Sequence, residues 1–204
     1  MSLSSEEGRL AVSLAREALE CQVSGRKMSA RNLNSGPFSE PRGVFVTLNT
    51  VAPAGNALRG CIGFPYPVKR LGDAIREAAV AAASEDPRFP PVGREELDSI
   101  LVEVSVLTIP RDLDMPRREM PSRVRIGRDG LMISRPYASG LLLPQVATEF
   151  GMDQVEFLSQ ACIKAGLPPD AWLDPVTRVQ VFQAEIFAET EPRGEVVRMA
   201  SEGS

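Results

Sequence analysis

A thiol and a guanidinium stand two residues apart in Leu58-Arg59-Gly60-Cys61-Ile62-Gly63. Alternate residues of a β-strand share a face, so Arg59 and Cys61 are expected to project together while Leu58 and Ile62 turn the other way. A free thiol titrates near pH 8.5 and is only a few per cent thiolate at neutral pH. Lowering that value by one unit takes about 1.4 kcal/mol of preferential stabilisation of the anion, within reach of a partly desolvated guanidinium. Cys61 is then a candidate nucleophile or redox-sensitive thiol, and Arg59 its stabiliser. The bland alternative is an inert buried thiol, since free cysteine is among the most buried residue types. Arg59 weighs against it, because a guanidinium requires water or a carboxylate nearby.

The chain contains no histidine. The commonest general base and metal ligand are therefore missing, and a Cys-His dyad cannot form within one chain. Proton transfer falls to carboxylates. Glu103 interrupts the otherwise apolar run Ile100–Leu107, and a carboxylate there is either solvated, paired, or poised for proton transfer. Pairing with Arg59 is its simplest explanation. Thr47, Gly60, Asp86, Arg88 and Gln145 are candidates for the rim of the same site. Asp86 and Arg88 read more plainly as a turn cap and an ion pair unless they reach the face of Cys61. Gln145 follows Pro144 at an expected helix start, where exposed backbone N–H groups suit an anion or oxyanion. There is no P-loop, G-x-G-x-x-G, G-x-S-x-G or H-E-x-x-H motif.

These residues need elements to hold them. Leu10, Ala11, Leu14, Ala18 and Cys21 recur at helical spacing, which predicts an amphipathic first helix capped by Ser4 or Ser5. Residues 24–42 carry turn chemistry and predict a long loop. Gly43–Leu48 and Ala57–Gly63 predict a hairpin turning at Ala52–Asn56. Leu71, Ala74, Ile75, Ala78, Ala79 and Ala82 form a stripe on a helix ending near Ser84, whose alanines suit close packing on a sheet. Ile100, Val102, Val104 and Val106 share one strand face, leaving Glu103 and Ser105 on the other. Further on, Asp129-Gly130 predicts a hairpin between Val124–Ile126 and Leu131–Ile133, followed by a strand at Gly140–Leu143. Two helices broken at Gly151 come next, the second capped by Asp153 and ended by Gly166. Trp172 anchors an irregular stretch before a last strand, Val179–Phe187. The order predicts a single pseudo-symmetric α+β domain, residues 5–188, around one largely antiparallel sheet, with a flexible tail at 189–204.

At 204 residues and 43% hydrophobic content the chain can bury a sizeable core. A net charge of −4 disfavours a nucleic-acid partner bound through phosphate neutralisation. Residues 111–128 are a local exception, with six arginines against three acids. Their proline spacing favours a solvated loop surface over an anion or RNA site. Three widely spaced cysteines without a C-x-x-C pair indicate neither a disulfide framework nor a cysteine metal site. No apolar run reaches the roughly 20 residues of a membrane span, and the N-terminus lacks the parts of a signal peptide, so a cytoplasmic location without a membrane is expected.

The hexapeptide resembles the signature of the AMMECR domain family, named for a protein from the AMME syndrome chromosomal region. Further matches are Asp86-Pro87-Arg88-Phe89-Pro90-Pro91, Val102-Glu103-Val104-Ser105-Val106-Leu107, Ile126-Gly127 with Asp129-Gly130-Leu131, and Leu142-Leu143-Pro144-Gln145-Val146. They continue through Phe157-Leu158, Cys162, Lys164-Ala165-Gly166-Leu167-Pro168 and Trp172. The resemblance implies an α+β fold of two similar strand-rich halves sharing one curved, barrel-like sheet with flanking helices. It implies no settled reaction and no cofactor. It does imply association with Memo-type or radical SAM proteins, and since this chain lacks the cysteine cluster of a radical SAM iron-sulfur site, it would be a partner of such an enzyme.

Two functional readings follow. In one, Cys61, Arg59 and Glu103 form an enzyme-like site for a small-molecule or protein substrate. In the other, the motif glycines allow close chain approach, Arg59 and Glu103 form a structural pair, and the protein is a non-catalytic interaction module.

Overall fold

The computed structural model describes residues 2–31, 33–52 and 55–199. In chain order these form α1 (Ser5–Ser24), β1 (Val44–Thr50), β2 (Ala57–Phe64), α2 (Leu71–Ser84) and β3 (Ile100–Leu107). They continue with β4 (Arg111–Asp112), β5 (Gly130–Arg135), β6 (Ala138–Leu142), α3 (Pro144–Glu149), α4 (Gln154–Lys164), β7 (Arg178–Phe182), β8 (Ala184–Glu189) and β9 (Val196–Arg198). The chain divides into two units, one running to Val106 and resuming over Glu185–Met199, the other spanning Leu107–Ala184.

In the first unit, Ser4 caps α1: its hydroxyl accepts from Glu7 N–H at 3.2 Å, and Glu7 accepts from Ser4 N–H at 2.7 Å. Gly25, at φ +70°, ends the helix. A five-stranded sheet runs in the order β2-β1-β3-β8-β9. Val44, Val46 and Leu48 of β1 and Val102, Val104 and Val106 of β3 turn to one face, where they join Leu14, Ala15, Leu19, Ala74, Ile75 and Ala78 of α1 and α2 in a core with no exposed surface. The alternation that buries these residues sends Thr47 and Glu103 to the opposite face. The expected hairpin forms; residues 53 and 54 of its turn lie outside the described residues. Within the expected loop, Gly36–Ser39 make one 3-10 turn and Pro41 bridges to Arg70.

In the second unit a four-stranded sheet runs β4-β7-β5-β6, packed through Leu131, Ile133 and Val179 against Phe157, Leu158, Ala161 and Cys162 of α4 and against Trp172. Asp153 caps α4 by accepting from Val155 and Glu156 N–H, each at 2.8 Å.

Four expectations are corrected. The strands make two sheets, not one shared barrel-like sheet, and no closed barrel is found among the described residues; the pairings β1–β2, β1–β3, β4–β7, β5–β6, β5–β7 and β8–β9 are antiparallel. Asp129-Gly130 is not a hairpin turn: Asp129 accepts from Arg125 N–H at 3.0 Å to close a turn that feeds β5, and the hairpin comes at Pro136-Tyr137. The last strand is broken at Gln183, where Thr108 N–H donates to the Gln183 carbonyl at 2.8 Å and Gln183 N–H to the Thr108 hydroxyl at 2.9 Å. Finally, the expected tail at 189–204 is not loose as far as Met199. Glu189 is buried against Arg16, and β9 pairs with β8.

Candidate functional site

The hairpin register sets the geometry around the hexapeptide. Thr47 stands opposite Cys61 on β2 and opposite Glu103 on β3, so the three side chains form one row across neighbouring strands on the face away from α1 and α2. Strand spacing puts the Cα atoms of Cys61 and Glu103 about 10 Å apart with Thr47 between them. All three are half-buried. The Thr47 hydroxyl donates to Cys61 Sγ at 3.3 Å.

Arg59 does not join the row. Leu48 pairs with Gly60 while Asn49 pairs with Leu58, so Arg59 is the extra residue of a β-bulge, and a bulge re-aims its side chain. The guanidinium forks onto Glu96, Nε to Oε2 at 2.6 Å and Nη2 to Oε1 at 2.9 Å. The expected Arg59–Glu103 pair is thus replaced by Arg59–Glu96, and strand alternation could not foresee it because the bulge breaks the period of two.

Asp86 and Arg88 do reach the motif. β2 is the edge of its sheet, and the outward Cys61 N–H donates to Asp86 Oδ2 at 2.8 Å. Arg88 donates to both oxygens of Asp86, Nε at 2.9 Å and Nη2 at 2.6 Å, and Nη2 also reaches the Cys61 carbonyl at 3.5 Å. The Asp86 carboxylate is almost wholly buried, and its paired guanidinium holds it well below the usual carboxylate range. Asp-Pro-Arg-Phe therefore closes the open edge of the hexapeptide strand.

The electrostatics differ from the expectation. Burial pushes the Cys61 thiol up; the Thr47 hydroxyl and Arg88 pull it down, while Glu103 and Asp86 push it up again. The net direction is upward, so the resting group is the thiol. The cation that moderates it is Arg88, because Arg59 is committed to Glu96.

Gly60 has a packing role: a Cβ there would lie 2.2 Å from the Ala82 carbonyl oxygen in the last turn of α2. Gln145 belongs to the second unit, in a six-residue helix. Its buried Oε1 has no hydrogen-bond partner. Glu96 and Phe89 are residues that sequence reasoning missed around the motif. Phe89 lies beneath both guanidinium groups, 5.9 Å from Arg59 and 5.5 Å from Arg88, and its signal was its place beside Arg88 in the Asp86–Pro91 match. Glu96 gave none, being 37 residues from its partner. Among the described residues no group of three or more His, Cys, Asp or Glu side chains is placed to hold a metal ion.

Fold and site together define an α+β protein with a thiol on a capped edge strand. The chain belongs to the AMMECR1 family, whose model matches residues 12–187. A protein of Methanothermobacter thermautotrophicus is 56% identical over 190 residues, 92% of this chain and 96% of that one. One of Thermococcus gammatolerans is 54% identical over 195 residues, 95% of each. The crystal structure of the uncharacterized protein PH0010 from Pyrococcus horikoshii matches with a TM-score of 0.89 at 48% identity, covering 97% of this chain and 98% of that chain. The names of these relatives state no reaction or partner.

Proposed function

We propose that the Cys61–Thr47–Glu103 row is an enzyme-like site acting on a small electrophilic substrate, with Cys61 as the nucleophile. The carrying observation is the register that sets a half-buried thiol, a hydroxyl and a carboxylate side by side on one sheet face. A reactant lying over Thr47 would meet sulfur on one side and carboxylate on the other. Because the resting sulfur is protonated, attack on an electrophilic carbon needs a proton acceptor. The S–C bond forms as the S–H bond and the π bond of the electrophilic carbon break; the π electron pair moves to the neighbouring substrate atom, and the thiol proton passes to Glu103. Asp86 and Arg88 position β2, and Arg88 opposes the rise in the thiol pKa. The setting is the cytoplasm, where reducing conditions keep three unbridged cysteines as thiols. No described helix is long and apolar enough to cross a membrane.

The test exposes native protein to small carbon electrophiles and locates the adducts by mass spectrometry. Adducts are expected at Cys61 in the folded state and not at Cys21 or Cys162, which are both buried. Cys61 adducts that appear only after denaturation would refute the site.

The Gly60–Ala82 approach and the Asp86 contact to Cys61 N–H favour a second reading, in which the motif builds a non-catalytic interaction module. That reading expects Cys61→Ser to leave every partner interaction intact while Gly60→Ala removes them. In either reading the partner class implied by the resemblance is a Memo-type or radical SAM protein, which co-purification with the intact chain tests.

A further inference from the structure

Among the described strands, β2 and β9 end the first sheet and β4 and β6 end the second. An edge strand presents unpaired N–H and C=O groups, and proteins that stay monomeric shorten, charge, bulge or cover such edges. β2 is covered by Asp86 and Arg88. β4 is only Arg111 and Asp112, two charged residues after Pro110, and β9 is three residues ending on Arg198. Among the described residues none of these devices guards β6. Its register with β5 runs without a bulge, and the stretch from Tyr137 to Leu143, bounded by Pro136 and Pro144, carries no charge and no proline.

The hairpin decides which groups of β6 face outward. Its two-residue loop makes Arg135 and Ala138 a hydrogen-bonded pair, so bonding alternates along the strand: Ala138, Gly140 and Leu142 bond to β5, while Ser139 and Leu141 aim their N–H and C=O groups away from it. Among the described residues no strand lies on that side. Ser139 is exposed and Leu141 half-buried. A Cβ on Gly140 would lie 2.3 Å from the Ala165 nitrogen just past α4, so Gly140 and Leu142 face α4, and Ser139 and Leu141 face the other way.

Side-chain size is graded along this strand. The small residues Ala138, Ser139 and Gly140 come first, and Leu141, Leu142 and Leu143 follow. An antiparallel pair of identical strands sets the start of one against the end of the other, so a small-to-large order is its own complement. With a two-fold axis at Leu141, Gly140 meets Leu142 of the second copy, Ser139 meets Leu143, and the two Leu141 side chains pack on each other with no charge opposed. An axis at Gly140 would crowd the two α4 ends, each resting on its own Gly140; at Leu141 those ends are offset along the strands.

We infer that β6 pairs antiparallel with β6 of a second copy of this chain, joining two four-stranded sheets into one. Light scattering of the intact protein over a range of concentrations tests it, with the mass of two chains expected. Ser139→Lys, at an exposed position, sets a charge against leucine and is expected to shift the protein to the mass of one chain, whereas Ser139→Thr, an uncharged strand former, keeps two. Leu141→Lys brings two ammonium groups together at the axis and also gives one chain. Opposed hydrogen-bonded residues have Cα atoms about 5.5 Å apart, within disulfide reach. Leu141→Cys is therefore expected to crosslink two chains on mild oxidation, while Tyr137→Cys, fully exposed but remote from the axis, does not. A one-chain mass at every concentration, as when the edge serves a different protein, would overturn the inference. So would a two-chain mass retained by both lysine variants, or crosslinking at position 137 equal to that at 141.

Discussion

Cys61 is surrounded by groups with opposing effects on its proton, which makes single substitutions informative. Thr47→Val removes the donor to sulfur and Arg88→Ala the nearby cation, so each is expected to raise the thiol pKa; Glu103→Gln removes a negative charge and should lower it. Arg59→Ala should move that titration less than Arg88→Ala does, because Arg59 faces Glu96. It should instead lower stability by about 1–3 kcal/mol, the cost of leaving a partly buried partner unpaired; urea unfolding checks this. Cys61 and Glu103 were legible in the sequence because strand alternation marks each of them. The pairing of Arg59 was not, because one inserted residue in β2 redirects the side chain, and no local pattern announces a bulge whose partner lies 37 residues away.

At the scale of elements, α2 and β3 have the bounds their apolar spacing predicts, Leu71–Ser84 and Ile100–Leu107. Both present a continuous apolar stripe, and burial of such a stripe decides the conformation. The Asp129-Gly130 step misled because Asp-Gly suits several turns, and here the Asp129 carboxylate bonds back to Arg125. Gly60 packs directly against the backbone of α2. Gly60→Ala would press a methyl group into the Ala82 carbonyl and is expected to destabilise the fold by about 1–3 kcal/mol, measured as a lower urea midpoint at unchanged slope. β9 is only three residues long, Val196–Arg198, within a charged stretch, which is why that stretch reads as a tail although its backbone pairs with β8.

For the whole molecule, the order of the apolar patterns predicted an α+β protein and composition an aliphatic core, and the structure agrees. The division into two sheets was not legible, since β-forming residues continue on both sides of Gln183 and only the hydrogen bonds of Gln183 with Thr108 show where the strand ends. Global stability should depend on pH through the carboxylates. Arg88 holds Asp86 below its usual range, Arg59 does the same for Glu96, and Arg178 for Asp112. A group whose native pKa is depressed contributes stability above its unfolded value near 4, and that contribution disappears as pH falls through the native value. The thermal midpoint is therefore expected to stay nearly level from pH 7 to 5 and to drop below about pH 4. Asp86→Asn should start from a lower midpoint but lose less on acidification.

The thiol row is tested most directly by the pH dependence of Cys61 alkylation in the folded protein with Cys21 and Cys162 replaced by alanine. The expected profile rises with an inflection above that of a model thiol, moves higher in Thr47→Val and lower in Glu103→Gln. An inflection at the model-thiol value that neither substitution moves would contradict the coupling of sulfur, hydroxyl and carboxylate across the sheet.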